Sequence, residues 1–512
     1  MITSPNNLWQ LLTWRTAQAP NARFLIDAQT HQTLSYGDFL AQAQALALVL
    51  HERGIGKNSV VAWQMPTAVE SVLLMFALSR LGAVQAPIIH LYREREVQEI
   101  VLQTQANFII VMDNDGESTL MELSANVVDA LAHKPLLIDF RSLPRVSDAP
   151  SNSLSAYVTA NDTVKWYFFT SGTTGRPKGA KHTDQTLMAG GFFLGNALDV
   201  NDNDIGSVAY PVAHIGGAVY FAMALNTGVP VVLLASYTPA LVVATFQKYH
   251  VTLAGGSTAH YQVLLEEQRK QPNTPLFSSL RLLSGGGAAK PAALYWQVKE
   301  ELGVRIIHAY GMTEAPITSS NTPYDSDEQL THTDGEVLPE LELKIVKPDG
   351  SRVHPGESGE IILRGTNVCK GYLLAEQTEA AFDENGFYHT GDLGKMNEDG
   401  HLSITGRLKE IIIRKGENIS AREIEELLAK HPAVKDAAVI GLPDEERGEL
   451  VCAVIELVDS DAPLTMAAMQ AFLKSHQLMR QKIPERLEIM AHLPRNQALQ
   501  KVKKNELVAQ FS

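Results

Sequence analysis

The sequence predicts an α/β protein with a large N-terminal domain of doubly wound α/β sheets, a small β-barrel-like subdomain and a small α+β unit at the C-terminus. Three observations lead there. Strand-like and helix-like patterns alternate from Leu8 to about Thr318, the rhythm of a parallel, doubly wound sheet. From about Leu341 to Ser403 the strands shorten and are punctuated by Pro348-Asp349-Gly350, His354-Pro355-Gly356 and Glu384-Asn385-Gly386, which suits a small antiparallel unit. At 512 residues the chain also exceeds what one hydrophobic core usually supports. The expected division is 1–405 and 406–512.

Taken in order, Tyr36-Gly37-Asp38-Phe39 opens a helical run through Leu50, and Ser59–Trp63 reads as a strand. Val72–Leu78 reads as a buried helix ending at Gly82, and Phe108–Met112 as another strand. Val164–Phe169 is a β-branched and aromatic run that reads as a buried strand, and the pattern then continues through about Thr318. Val231–Leu234 and Leu341–Val346 are further strands. In the last unit Ile411–Ile413 reads as a strand, Ser420 starts a helix with Glu423 at the capping-box position, and Val434–Leu442 is a strand.

The Val164–Phe169 run delivers Thr170-Ser171-Gly172-Thr173-Thr174-Gly175-Arg176-Pro177-Lys178-Gly179. Exposed N–H groups of such a glycine-rich loop form an anion-binding concavity, and Lys178 adds a mobile point charge. A polyphosphate is the natural occupant. The loop is not a Walker A motif: its spacing differs, and Pro177 disfavours the helix that would follow.

Composition narrows the class. With 45% apolar and 20% charged residues, the chain has the make-up of an ordinary globular protein. No apolar run approaches the roughly 18 residues needed to span a bilayer. The start, Met1–Pro5, has neither a basic nor an apolar leader region, so a cytoplasmic protein is expected. Cys369 and Cys452 stand in no metal-type spacing, which fits a reducing compartment. A net charge of −14 argues against nucleic-acid or anionic-membrane partners. Residues 406–512 carry 16 Lys and Arg against 16 Asp and Glu, so the whole deficit lies in the rest of the chain. The neutral end is the better approach for a polyanionic ligand.

Further motifs follow: His308-Ala309-Tyr310-Gly311-Met312-Thr313-Glu314, Thr390-Gly391-Asp392, Gly406-Arg407-Leu408-Lys409-Glu410 and Ile413–Ile419. An aromatic, a glycine, a hydroxyl and a carboxylate in a row can serve as base platform, close-approach point, phosphate contact and Mg²⁺ ligand. A carboxylate after a Thr-Gly turn can hold a ribose diol, and an arginine can bridge ribose and phosphate.

In this order and at these separations, the motifs resemble the acyl-adenylate-forming superfamily of acyl-CoA synthetases, adenylation domains and beetle luciferases. The resemblance spans nearly the whole chain and is nearest to ligases for medium-chain, alicyclic or aryl acids. It implies that Ser171, Gly172, Thr173, Thr174, Gly175 and Lys178 hold the ATP β- and γ-phosphates. Tyr310 would stack on adenine between Ala309 and Gly311, with Gly285, Gly286 and Gly287 walling that pocket. Thr313 would touch the α-phosphate, Glu314 would bind Mg²⁺, and Asp392 and Arg407 would fix the ribose. Lys409 would be the hinge of a mobile C-terminal lid, and Gly416 would line the tunnel for the pantetheine of coenzyme A.

Tyr210–Gly217 matches the segment that lines the acyl pocket, with His214 as a wall, Gly216 and Gly217 leaving room behind it, and Gly287 and Gly311 contributing. That segment lacks the Asp that would hold an α-ammonium, which disfavours an amino-acid substrate. Its apolar character points to a neutral, hydrophobic acid. Relatives end in a Gly-Lys whose lysine reaches the substrate carboxylate. Here Pro494–Lys501 has one extra residue and Gln500 replaces the glycine, leaving Lys501 as the candidate and Lys503 and Lys504 as substitutes.

The implied activity is an ATP- and Mg²⁺-dependent acyl-CoA ligase of the fatty-acid metabolism type, working through an acyl-AMP intermediate, with Lys501, Thr313, Glu314 and Lys178 carrying the chemistry. Its partners would be a small-molecule carboxylic acid and coenzyme A; a homodimer is compatible. Two rivals stand beside it. One is a stand-alone acyl-AMP ligase that loads an acyl carrier protein. The other is a non-catalytic nucleotide-binding protein with a decayed site.

Overall fold

The computed structural model describes residues 5–113, 119–144, 154, 162–170, 177–287, 290–414, 417–444, 448–459, 464–476, 478–496 and 500–512. Two sheets dominate residues 23–337. The first has six strands in the spatial order Leu136–Asp139, Phe108–Val111, Val60–Met65, Val84–Ile89, Val164–Thr170 and Lys178–Thr183. All neighbours are parallel except the last pair. The second has nine strands: Glu336–Val337, Ala315–Ser320, Arg305–Met312, Leu282–Gly286, Leu253–Gly256, Gly206–Val208, Val231–Leu233, Arg23–Asp27 and Thr33–Ser35. Its middle six strands are parallel and its edges antiparallel.

Helices fill the space between these sheets. Ser35 caps the helix Tyr36–Glu52 through a reciprocal box with Asp38. The helix Val69–Leu81 is buried along nearly its whole surface and stops where Gly82 turns left-handed at φ 68°. Ile215–Thr227 is apolar all round, as a helix enclosed on every side must be. It crosses Asp184–Ala197 so closely that a Cβ on Gly191 would lie 2.6 Å from the Val219 carbonyl oxygen. One continuous apolar cluster includes Trp63 and Trp166 of the six-stranded sheet, Leu25 and Val231 of the nine-stranded sheet, and Phe76 and Phe221 of the helices between. Burying this much aromatic and aliphatic surface is the main force holding the layers together.

The short strands after Leu341 form a four-stranded antiparallel sheet in the order Leu341–Val346, Gly359–Gly365, Tyr388–Met396 and Leu402–Arg407. Gly350, Gly356 and Gly386 sit at φ near 80° in its turns. The C-terminal sheet places Glu417–Ser420, Ile411–Arg414, Gly448–Leu457 and Val434–Asp444 side by side, with Arg486–Met490 parallel to Gly448–Leu457. Among the described residues, its two apolar clusters use residues beyond Ile411 alone. Ser420 caps the helix Ala421–Leu428 as expected, but Glu423 turns its carboxylate to the Lys482 ammonium at 2.6 Å.

Among the described residues no helix is long and apolar enough to cross a membrane.

Candidate active site

Sequence alone predicts a strand before the glycine loop, and the structure adds a returning one. Val164–Thr170 and Lys178–Thr183 are antiparallel neighbours, with Thr170 opposite Lys178. Ser171, Gly172, Thr173, Thr174 and Gly175 lie outside the described residues, as does Gly416. Lys178 begins the return strand. Its ammonium stands 5.4 Å from the centroid of the Tyr372 ring and close enough to Glu314 to favour its charged form.

A hairpin, Arg305–Met312 and Ala315–Ser320, carries Ala309, Tyr310 and Gly311 on one strand and Thr313 and Glu314 in the turn. The pairing shifts register between Tyr310 and Met312, which swings the turn out of the regular ladder. Gly311 allows this, since a Cβ there would meet the Pro316 carbonyl oxygen at 2.2 Å. Gly285 and Gly286 close the neighbouring strand, where Cβ atoms would lie 1.8 Å from the Gly256 oxygen and 2.1 Å from the Ala309 oxygen. Close strand packing therefore requires both glycines. Gly287 faces open space at φ 79°.

Tyr310 is buried and donates its hydroxyl to Asp392 Oδ2 at 2.8 Å, while Arg407 Nε pairs with Asp392 Oδ1 at 2.8 Å. Asp392 is thus held on both oxygens, although half of the Arg407 side chain remains exposed. Glu314 is 7% exposed, and its Oε1 accepts the Tyr372 hydroxyl at 2.6 Å. Burial pushes the Glu314 carboxyl above its ordinary range, with the Tyr372 hydroxyl and the Lys178 ammonium pulling the other way.

His214 caps the helix Ile215–Thr227, its Nδ1 accepting from the Gly216 N–H at 3.1 Å. Burial and the Lys501 ammonium push this imidazole down to about 4, so it is neutral at physiological pH. The expectation that Gly217 leaves room behind His214 changes: that space holds the Val212 main chain, 2.5 Å from where a Cβ would sit. Phenols gather nearby. The Tyr210 ring crosses Tyr220 edge-on at 6.3 Å, and the Tyr261 hydroxyl lies over Gly285.

Lys501 reaches this site from the C-terminal unit. It sits at the end of a tight hairpin in which Arg495 pairs with Val502, and Asn496 donates its N–H to the Lys501 oxygen at 2.8 Å. Gln500 adopts φ 56°, the left-handed conformation that a glycine would take without strain. Burial and Arg407 pull Lys501 below the ordinary lysine range, while Asp392, Glu410 and Glu314 oppose that shift. The substitutes are otherwise engaged: Lys504 pairs with Glu410 and Glu425 at 2.9 and 2.8 Å, and Lys503 with Glu506 at 2.7 Å. Lys409 lies exposed in the single turn Leu408–Glu410, next to Arg407.

Sequence reasoning missed Tyr372. It lies in no regular strand, and only the fold brings it to Glu314 and Lys178. The Gly371-Tyr372 pair, with Gly371 at φ 82°, was the available signal.

The family described as "AMP-binding enzyme" matches residues 12–373, and "AMP-binding enzyme C-terminal domain" matches residues 423–498. A medium-chain fatty-acid–CoA ligase of Escherichia coli (strain K12) is 30% identical over 95% of this chain and 87% of its own. A salicyl-AMP ligase / salicyl-S-ArCP synthetase of Mycobacterium tuberculosis is 29% identical over 95% and 86%. The crystal structure of ATP-bound MatB from Rhodopseudomonas palustris superposes with a TM-score of 0.88 at 27% identity, covering 99% of both chains. With matches of this extent at both ends, the chain belongs to the AMP-binding enzyme family, the adenylate-forming group that includes acyl- and aryl-CoA ligases.

Proposed function

We propose that this enzyme activates a neutral, hydrophobic carboxylic acid (medium-chain, alicyclic or aromatic) as its acyl-AMP and transfers the acyl group to coenzyme A. One observation carries the reading: Lys501, from the C-terminal unit, converges electrostatically with Glu314, Asp392 and Arg407 and with His214. A cation amid the candidate nucleotide groups and beside the candidate acyl wall suits a residue that brings a carboxylate to a phosphate.

A carboxylate is a poor acyl donor because its leaving group would be oxide or hydroxide. In the first step one carboxylate oxygen bonds to the α-phosphorus of ATP, and the bond to pyrophosphate breaks. Lys178 and the glycine loop would hold the β- and γ-phosphates, Thr313 would contact the α-phosphate, and Lys501 would offset the repulsion between the two anions. Tyr310 would form the adenine platform, and Asp392 with Arg407 would hold the ribose. Glu314 fits a magnesium ion by its chemistry, being a buried carboxylate raised by burial, with one oxygen taken by a neutral hydroxyl and a hard cation suited to the rest. Such an ion would neutralise phosphate charge as pyrophosphate departs.

In the second step a thiolate attacks the acyl carbonyl and AMP leaves with the bonding pair. The unit from residue 406 would turn about Lys409, withdrawing Lys501 and bringing Gly416 to the thiol tunnel. The neutral His214 imidazole and the aromatic rings near it favour an acid with no second charge, because a second carboxylate would need a buried cation.

The test is pyrophosphate release across a panel of acids, followed by thioester formation with free coenzyme A and with a holo-carrier protein. Acid-dependent release and transfer to coenzyme A is the expected result. Transfer to the carrier protein alone would move the enzyme to the class of its salicyl-AMP relative. An adenylate that no thiol accepts would end the proposal.

A further inference from the structure

Residues Cys369–Leu373 form an irregular ribbon between two parts of the candidate site. On one side Leu373 N donates to Gly179 O at 2.8 Å, Lys181 N to Gly371 O at 2.9 Å and Lys370 N to Lys181 O at 2.7 Å. These bonds fasten the ribbon to the strand that begins with Lys178. On the other side Cys369 N donates to the Glu314 main-chain carbonyl oxygen at 2.8 Å, which fastens it to the turn that carries the acid. Tyr372 stands in the middle and is 2% exposed.

The Tyr372 side chain repeats that double attachment. Its hydroxyl proton goes to Glu314 Oε1 at 2.6 Å, so the contact with Tyr388 at 3.3 Å has Tyr388 donating. Its ring lies 5.4 Å from the Lys178 ammonium, within the range of a cation–π attraction. A phenol supplies both contacts from one rigid body: a donor at its tip and an electron-rich face along its side.

We propose that Tyr372 is a positioning residue that fixes the Glu314 carboxylate and the Lys178 ammonium relative to each other, so that a divalent cation and the phosphates it accompanies meet a preset geometry. This rests on the reading of Glu314 as the magnesium ligand and Lys178 as a phosphate contact. It assigns Tyr372 no contact with substrate. Holding the acid in one rotamer leaves its second oxygen aimed before ligand arrives, which is the preorganisation that strengthens metal sites.

The experiment measures ATP binding to the full chain by calorimetry, with magnesium chloride and with a chelator, alongside thermal melting. Wild type is compared with Tyr372→Phe, Tyr372→Leu and Glu314→Gln. Tyr372→Phe keeps the ring and is expected to melt near wild type and to bind metal-free ATP normally. Its magnesium-dependent gain in affinity should fall about tenfold, the scale of one hydrogen bond to a charged group. Tyr372→Leu should also lose affinity for metal-free ATP, because Lys178 loses its platform. If Tyr372→Phe keeps the full magnesium gain while Glu314→Gln loses it, the role of Tyr372 is overturned and the site reading stands. A full magnesium gain in Glu314→Gln overturns the reading of Glu314, and the proposal with it. An equal loss with and without magnesium in Tyr372→Phe overturns the proposal in favour of a merely structural tyrosine.

Discussion

Glu314 and Lys501 approach the same site by opposite means. Glu314 sits in a turn between two strands of the nine-stranded sheet, buried, with Tyr372 and Tyr388 behind it. Asp392 is held likewise by Tyr310 and Arg407. Lys501 hangs on a short hairpin tied by main-chain bonds from Lys503 N to Pro494 O and from Asn496 N to Lys501 O, and it meets the scaffold through charge. The difference separates two design needs. Groups needed throughout a two-step reaction can be set into sheets. A group needed for one step belongs on a separate unit that can bring it and, on our proposal, take it away.

Lys501→Ala tests that contrast with the largest expected effect. Adenylation should slow by about 10²–10³-fold, the scale for removing one charge-stabilising donor, while thioester formation from a preformed acyl-adenylate stays near normal. Equal losses in both steps, by rapid quench, would erase the distinction between the two regions. Asp392→Asn attacks the fixed side. It removes the charge from the Arg407 pair, and ATP should bind about tenfold more weakly in calorimetry while the apparent affinity for the acid stays unchanged.

Acid stress should also find the scaffold first. His182 is fully buried in the strand Lys178–Thr183, its Nδ1 2.9 Å from Thr186 Oγ1, and burial pushes it from 6.5 down to about 3. The folded protein therefore resists a proton that the unfolded chain accepts. Stability present above pH 6.5 is lost as pH falls toward 3, by about 2 kcal/mol between pH 7 and pH 5 from this residue. Denaturant melts should show that slope, and His182→Asn should flatten it.

The smallest expected effect lies in the tail. Gln500→Gly relieves a left-handed φ at the cost of a looser unfolded chain, so stability should change by no more than about 1 kcal/mol. Adenylation should stay within a few-fold of wild type. A large fall in rate would show that the glutamine side chain itself takes part.

Much of the scaffold was legible because its signals are local. Gly82 ends a buried helix, and Leu341–Val346 alternates and ends at a turn. The return strand Lys178–Thr183 was not legible, since Lys-Gly-Ala-Lys-His-Thr lacks β-branched runs and pairs only because Val164–Thr170 lies beside it. In the site, Tyr310, Glu314, Asp392 and Arg407 were named from motif order. Their cross-links were not, because Tyr372 and Tyr388 come from a ribbon and a strand far along the chain. Lys501 was already the candidate from motif position, but the ion pairs that engage Lys503 and Lys504 could not be read from the sequence. Gly217 misled because an empty position in sequence is filled in space by Val212.

Among the described residues, the apolar clusters beyond Ile411 draw on no residue from the earlier sheets, whereas a single cluster joins both large sheets. Cooperativity follows the ownership of buried surface. Heating should therefore melt the protein in two calorimetric events, a broad small one for the tail unit and a large one in which both sheets collapse together. The tail could then be excised, or exchanged for that of a relative, without costing the remainder its fold.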